Sequence, residues 1–202
     1  YPTLVAMQAD PEAIVQSQIG YAIGRVATDM EIVVRDLSPM LVDPAPRVRR
    51  SGVHGLGIAA QRRDTSEPGM KEAAALVAEK LDDTDKEVRY WATWMMMHFK
   101  TAARPHVSAL LAQLHDSDNH VQEIALFALR ALKLEPSTVV PVLWKRFNES
   151  TGDTRLRAAI ALRAFGDEAE KIQPGLIAML GSLGEKEFAA GQAELRRAMA
   201  RP

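Results

Sequence analysis

A ten-residue pattern recurs along this chain and constrains its fold more than any other feature. It runs Val, then Arg or Gln, then small and apolar residues at helical spacing. It reads VQSQIGYAIG from Val15, VRRSGVHGLG from Val48, VRYWATWMMM from Val88 and VQEIALFALR from Val121, with a weaker copy, LRAAIALRAF, from Leu156. The anchors are separated by 33, 40, 33 and 35 residues. An insertion at residues 61–69, QRRDTSEPG, rich in turn-formers and charge, accounts for the longest interval. A period of this size marks stacked units, none of which can bury its apolar face alone.

Each anchor segment from Val48 onward follows another helical stretch: MEIVVRDLSPML, MKEAAALVAEKL, PHVSALLAQL and STVVPVLWKRF. A further pair, KIQPGLIAMLGSL and KEFAAGQAELRRAMA, is expected beyond them. The unit is therefore two antiparallel helices of roughly 12 residues joined by a short turn. Pro39, Pro141 and Pro174 fall where they start or bend first helices. No segment shows sustained period-2 alternation bounded by hairpin turns, so no sheet is expected.

An Asp stands five residues before each of the first four anchors: Asp10, Asp43, Asp83 and Asp116. Its carboxylate is expected to accept a hydrogen bond from the free N–H groups of the following helix. The residue after each anchor is Gln16, Arg49, Arg89 or Gln122. From there a side chain can return to its own Asp or reach the Asp of an adjacent repeat, giving a polar ladder between units.

The D-x-x-x-x-V-R-x-x-A-A-x-A-L-G spacing resembles HEAT repeats, especially the short bacterial HEAT-like repeats related to those of phycobilin lyases. The resemblance runs from Asp10 to about Gly184. It implies an all-α fold, a right-handed α-solenoid of five to six helix pairs. First helices would lie on the convex side and anchor helices would line the concave side. The last copy departs from the pattern by a slip of one residue. The signatures of tetratricopeptide and ankyrin repeats are missing.

Composition agrees with this and narrows the function. The 202 residues carry 25 Lys and Arg against 26 Asp and Glu, and 47% are apolar, enough for one domain over residues 1–202 with a sizeable core. With no Cys, disulfides, thiolate catalysis and Cys-ligated zinc are excluded. No apolar run is long enough to span a bilayer. The chain begins at Tyr1 rather than Met, which leaves the true N-terminus open, and a cytoplasmic location is expected.

Counting each anchor helix from its Val, positions one, five, eight and nine form one stripe, the expected core face. Positions three, seven and ten point the other way. Position seven reads Tyr21, His54, Trp94 and Phe127; position three reads Ser17, Arg50, Tyr90 and Glu123; position ten reads Gly24, Gly57, Met97 and Arg130. In a chain with only 5% aromatics, a ring-like side chain at one register of four repeats suggests a binding groove. Its candidate residues are Tyr21, Arg50, His54, Tyr90, Trp94, Phe127 and Arg130, with Trp94 and Tyr90 at the centre. Packing of the same rings between neighbouring repeats is the equal alternative. The glycines at 52, 55 and 57 lie inside a helix, not in a phosphate loop, and are expected to allow close approach to a partner helix.

Little else suggests chemistry. His115-Asp-Ser-Asp-Asn-His120 matches no metal spacing and reads as a turn and cap; neither Asp-x-Asp pair has the Gly and distal Glu of a calcium loop. No nucleophile-elbow, zincin or P-loop motif occurs, so no catalytic residue, metal or cofactor is assigned. The expected function is a non-catalytic scaffold or adaptor that binds a protein or peptide and is not membrane-bound. Two alternatives remain. One is a DNA-binding protein resembling alkylpurine glycosylases, suggested by Arg47, Arg49, Arg50, Arg62 and Arg63 beside Trp91 and Trp94. It is less favoured, because residues 116–202 carry twelve basic and twelve acidic residues where a duplex-binding surface should be basic. The other is a repeat module of a larger enzyme.

Overall fold

A computed structural model describes residues 2–10 and 12–176. Its helices are α1 (Pro2–Ala6), α2 (Ala13–Val26), α3 (Met30–Leu41), α4 (Pro46–Gln61), α5 (Met70–Glu79), α6 (Lys86–Met96), α7 (Val107–Ala112), α8 (Asn119–Leu132), α9 (Pro136–Glu149), α10 (Gly152–Arg163) and α11 (Gly166–Ile172). No strand occurs among the described residues. The last expected helix pair lies mostly outside them. Each anchor helix packs on the one before and the one after, in the order α2, α4, α6, α8, α10. The first helices α3, α5, α7 and α9 form the second layer.

The expected core stripe is buried in α4, α6 and α8: Val48 and Leu56, Val88, Ala92, Met95 and Met96, Val121, Ala125, Ala128 and Leu129. In α2, at the end of the stack, Ile19 and Ile23 are buried while Val15 and Ala22 are only half-buried. The fifth anchor needs correction. The buried residues Ala158, Ala161 and Leu162 are positions five, eight and nine counted from Thr154. Counted from Leu156, position eight would be the exposed Arg163. The last described repeat therefore starts 33 residues after Val121 and does not slip. α10 is buried without a break from Arg157 to Leu162, so its own periodicity does not reveal its register.

The glycines do allow close approach, but to three different helices. Gly52 faces Leu41 and Met40 of α3, and Gly57 faces Met95 of α6. Gly20 and Gly24 of α2 meet Ser51 and Gly55 of α4 backbone to backbone. A Cβ at Gly24 would lie 2.2 Å from the Gly55 carbonyl oxygen, and one at Gly20 would lie 2.0 Å from that of Ser51. The Gly20 N–H also donates to the Ser51 hydroxyl at 3.0 Å.

The polar ladder forms at two junctions. Arg49 donates to both carboxylate oxygens of Asp83 in the next repeat, at 2.8 and 2.6 Å, and to the carbonyl of Asp43 in its own. Arg89 does the same with Asp116, at 2.6 and 2.9 Å, and with the Asp83 carbonyl. Each guanidinium thus joins two inter-helix turns. The repeated Asp has a different local role from the one expected. Asp10, Asp43, Asp83 and Asp116 each accept from the amide two residues on, closing a tight turn rather than capping a helix. The side chains that cap α6 and α8 are Asp85 and Asp118, two positions later.

The insertion after α4 is knitted into the stack. Arg62 and Arg63 donate to the carbonyls of Arg25 and Ala27 at the end of α2, at 2.9 and 2.6 Å. Glu67 accepts from the first amide of α3, Met30, at 2.8 Å. Gly69, at φ +82°, sits against the backbone of Met30 and Glu31, where a Cβ would collide.

Candidate functional site

Four of the anchor helices turn an open stripe to solvent at positions three, seven and eleven. In α2 these are Ser17, Tyr21 and Arg25; in α4, Arg50, His54 and Ile58; in α8, Glu123, Phe127 and Ala131. In α6 they are Tyr90 and Trp94, followed by His98 just beyond it, none of them buried. Position ten was expected on this face and lies off it in the first two repeats, where Gly24 and Gly57 are buried against the next anchor helix. The reason is angular: an element packed on both flanks leaves a stripe only one residue wide per turn, at spacing four.

The aromatic side chains on this stripe touch one another across repeats. Tyr21 lies 5.2 Å from His54, and His54 lies 4.7 Å from Trp91. Trp91 stacks on Trp94 at 5.8 Å, and Tyr90 meets both edge-on at 5.9 and 5.8 Å. The row is therefore packed between repeats while remaining partly open to solvent. Tyr21 is 37% exposed, whereas His54, Trp94 and Phe127 are half-buried. Trp91 was not among the candidate residues, yet it joins His54 to Trp94. Its position four is occupied by Ser51 and Ile124 in the flanking repeats, so the repeat pattern gave no reason to place a ring there.

Phe127 and Arg130 sit apart from this chain of rings, whereas Arg50 and the unexpected Arg25 border it. Phe127 carries the Arg130 guanidinium over its ring at 4.9 Å. Arg25 lies above the Tyr21 ring and donates to its hydroxyl at 3.1 Å. Arg50 lies one turn before His54 and, after burial, is the second cause lowering the His54 pKa. Burial likewise lowers that of His98, assisted by His54 and Lys100. Both shifts favour the neutral imidazole, and His54 stacks between Tyr21 and Trp91. Tyr90 is pushed up to about 12, by burial and then by Glu87 and Glu123. It stays an uncharged hydroxyl donor.

Among the described residues no group of three or more His, Asp or Glu is placed to hold a metal ion. His120, from the superficially metal-like loop, lies 3.9 Å from Glu123. Among the described residues no helix is long and apolar enough to cross a membrane.

Comparison with known proteins supports this architecture. Residues 73–163, from within α5 to the end of α10, match the family described as HEAT repeats. The matched span is built of HEAT-like repeats. Its fold is similar to that of an engineered protein solved by the Northeast Structural Genomics Consortium, with TM-score 0.62 and 18% identity over 97% of this chain and 93% of that one. A designed armadillo repeat protein in complex with the peptide (KR)4 gives TM-score 0.60 at 15% identity, covering 98% of both chains. A structure of Crescerin, which uses a TOG domain array to regulate microtubules in the primary cilium, gives 0.51 at 14% identity over 98% of this chain and 90% of that one. No curated protein matches the sequence. The HEAT-like repeat fold is an all-α, right-handed solenoid, and at these identities the structural likeness carries the fold alone.

Proposed function

We propose that this protein is a non-catalytic scaffold that binds a protein or peptide along the open stripe of its anchor helices. Tyr21, His54, Trp91, Trp94 and Tyr90 would form the central contact. The observation behind this reading is the unbroken chain of rings from α2 to α6, partly open to solvent in a chain with few aromatics. Rigid aromatic side chains already fixed by their neighbours lose little entropy on binding and are the usual hot-spot residues. Stacked repeats also present one extended surface, which suits an elongated partner better than a small substrate.

The arginine cluster that suggested DNA favours this reading less. Arg49 is held by Asp83, while Arg62 and Arg63 are spent on backbone carbonyls of the α2–α3 turn. A pull-down read by mass spectrometry would name a partner, and titration would then give Kd for the native chain and for Trp94→Ala with Tyr90→Ala. The expected loss is about 2 kcal/mol or more, roughly thirtyfold, with helical content unchanged and the chain still folded at the binding temperature. If the double variant unfolds, or binds as well as the native chain, the reading fails.

A further inference from the structure

The ring-bearing stripe is flanked by arginines that no carboxylate of the described residues holds. Neither α2 nor α4 contains an Asp or Glu. Together they carry Arg25, Arg47, Arg49 and Arg50, and among the described residues only Arg49 is gripped by a carboxylate, that of Asp83. Arg25 lies over the Tyr21 ring and donates to its hydroxyl, and Arg50 stands one turn before His54. Arg62, exposed just past α4, donates to the Arg25 carbonyl and adds a further cation beside it. Lys100, beyond His98, adds another, partly matched by Asp64.

The rings contribute donors rather than acceptors. The indole N–H groups of Trp91 and Trp94 and the Tyr90 hydroxyl have no partner among the described residues, and none is closed off from water. An indole nitrogen can only donate. The flat faces of the rings are already occupied, because Tyr21, His54, Trp91 and Trp94 follow one another at 5.2, 4.7 and 5.8 Å. Farther along the stripe the charge changes sign. Glu87 and Glu123 stand near Tyr90, and Glu123 pairs with Arg157 at 3.3 Å. The stripe thus offers positive charge over α2 and α4 and carboxylates over α6 and α8.

We propose that the partner is an acidic protein segment, whose carboxylates pair with Arg25 and Arg50 while its apolar side chains lie against the ring edges. This rests on the stripe being a binding face and names the chemistry of what binds there. A guanidinium presents its N–H groups as a planar fork that matches a carboxylate. At a partly open surface such pairs steer association and fix orientation more than they add affinity. Glu87 and Glu123 repel the acidic part of the segment from α6 and α8, so it lies in one direction. A lysine-rich segment would set like charges over α2 and α4. A nucleic acid fits less well. Its bases need free ring faces for stacking, and its evenly spaced phosphates would run from the arginines onto Glu87 and Glu123.

The test selects peptides from a random display library on the native chain at low salt. Asp and Glu should be enriched beside aliphatic or aromatic residues, and Lys and Arg depleted. A recovered peptide is then labelled and titrated. Its Kd should rise about tenfold in Arg25→Gln with Arg50→Gln. It should stay unchanged in Lys71→Gln, which removes an exposed cation from α5 in the second layer. On the native chain Kd should rise with added sodium chloride, a readout that needs no variant to fold. Recovered peptides without acidic bias, an affinity indifferent to salt and to both arginines, or a selection that yields no binder would overturn the proposal. So would tighter binding of single-stranded oligothymidine than of the acidic peptide. The same peptide with Gln at every acidic position separates this inference from the binding face itself. Equal binding of both peptides, lost in Trp94→Ala with Tyr90→Ala, sinks the acidic partner and keeps the ring face. Binding lost in the arginine variant but kept in the ring variant keeps the acidic partner and removes the rings as its contact.

Discussion

The α2–α4 and α8–α10 junctions are built from the same 33-residue repeat and are sealed in opposite ways. At the first, Gly20, Gly24, Ser51 and Gly55 remove side chains until two backbones touch. At the second, Thr154 and Arg157 replace valine and larger apolar residues, and the space between helices is filled by polar side chains around a cavity. Between them lie two junctions closed by bidentate Arg–Asp pairs. The period sets where helices fall in the stack. The side chains at a few recurrent positions set how tightly each junction closes.

The largest effect should come from making a closed junction resemble the open one. Asp116→Ala leaves the Arg89 guanidinium, 13% exposed, without its carboxylate and also removes the tight turn at Asp118. Loss of one member of such a buried pair should cost about 3 kcal/mol, measured by urea unfolding. The same group predicts the acid response. The Arg89 hydrogen bond, partly opposed by burial, holds the Asp116 pKa below the usual carboxylate range. A lowered folded pKa means the unfolded chain binds more protons. The stabilisation is therefore complete above about pH 4 and lost as pH falls from there through the folded value. In Asp116→Ala the slope of stability against pH over that window should flatten.

A smaller effect is expected from forcing α2 and α4 apart. Gly55→Ala gains about 1 kcal/mol in helix propensity but places a Cβ 2.2 Å from the Gly20 carbonyl oxygen. Overpacking against backbone costs up to about 3 kcal/mol, leaving a net loss of about 2 kcal/mol in thermal or chemical melting. An unchanged midpoint would mean that the two backbones can part by a methyl group at little cost.

The smallest effect is expected at the open junction. Thr154→Val restores the residue found at position one in the four preceding repeats. With its neighbours already polar and the site half-buried, stability should rise by no more than about 0.5 kcal/mol. A gain of several kcal/mol would show that Thr154 leaves a packing defect that a valine fills.

Much of the fold was legible because its cues are local. The anchors at Val15, Val48, Val88 and Val121 and the first helix Met30–Leu41 follow from short-range spacing, whereas the choice of Asp83 and Asp116 as partners of Arg49 and Arg89 was made by the stacking of repeats. The candidate site was only partly legible. Tyr21, His54, Tyr90 and Trp94 were found from their register, while Trp91 was missed because it lies one residue off that register. Phe127 and Arg130 shared the register but pair with each other.

The sequence by itself thus determined the period, the helices and the angular position of each side chain, since those depend on residues a turn or two apart. The tertiary structure decided which neighbour occupies each angle. Position ten is buried by Met95 in one repeat and by Gly55 in another, and the fifth anchor is Thr154 because α8 and α9 cover that face. Periodicity fixes a direction around one helix; what lies in that direction depends on helices more than thirty residues away.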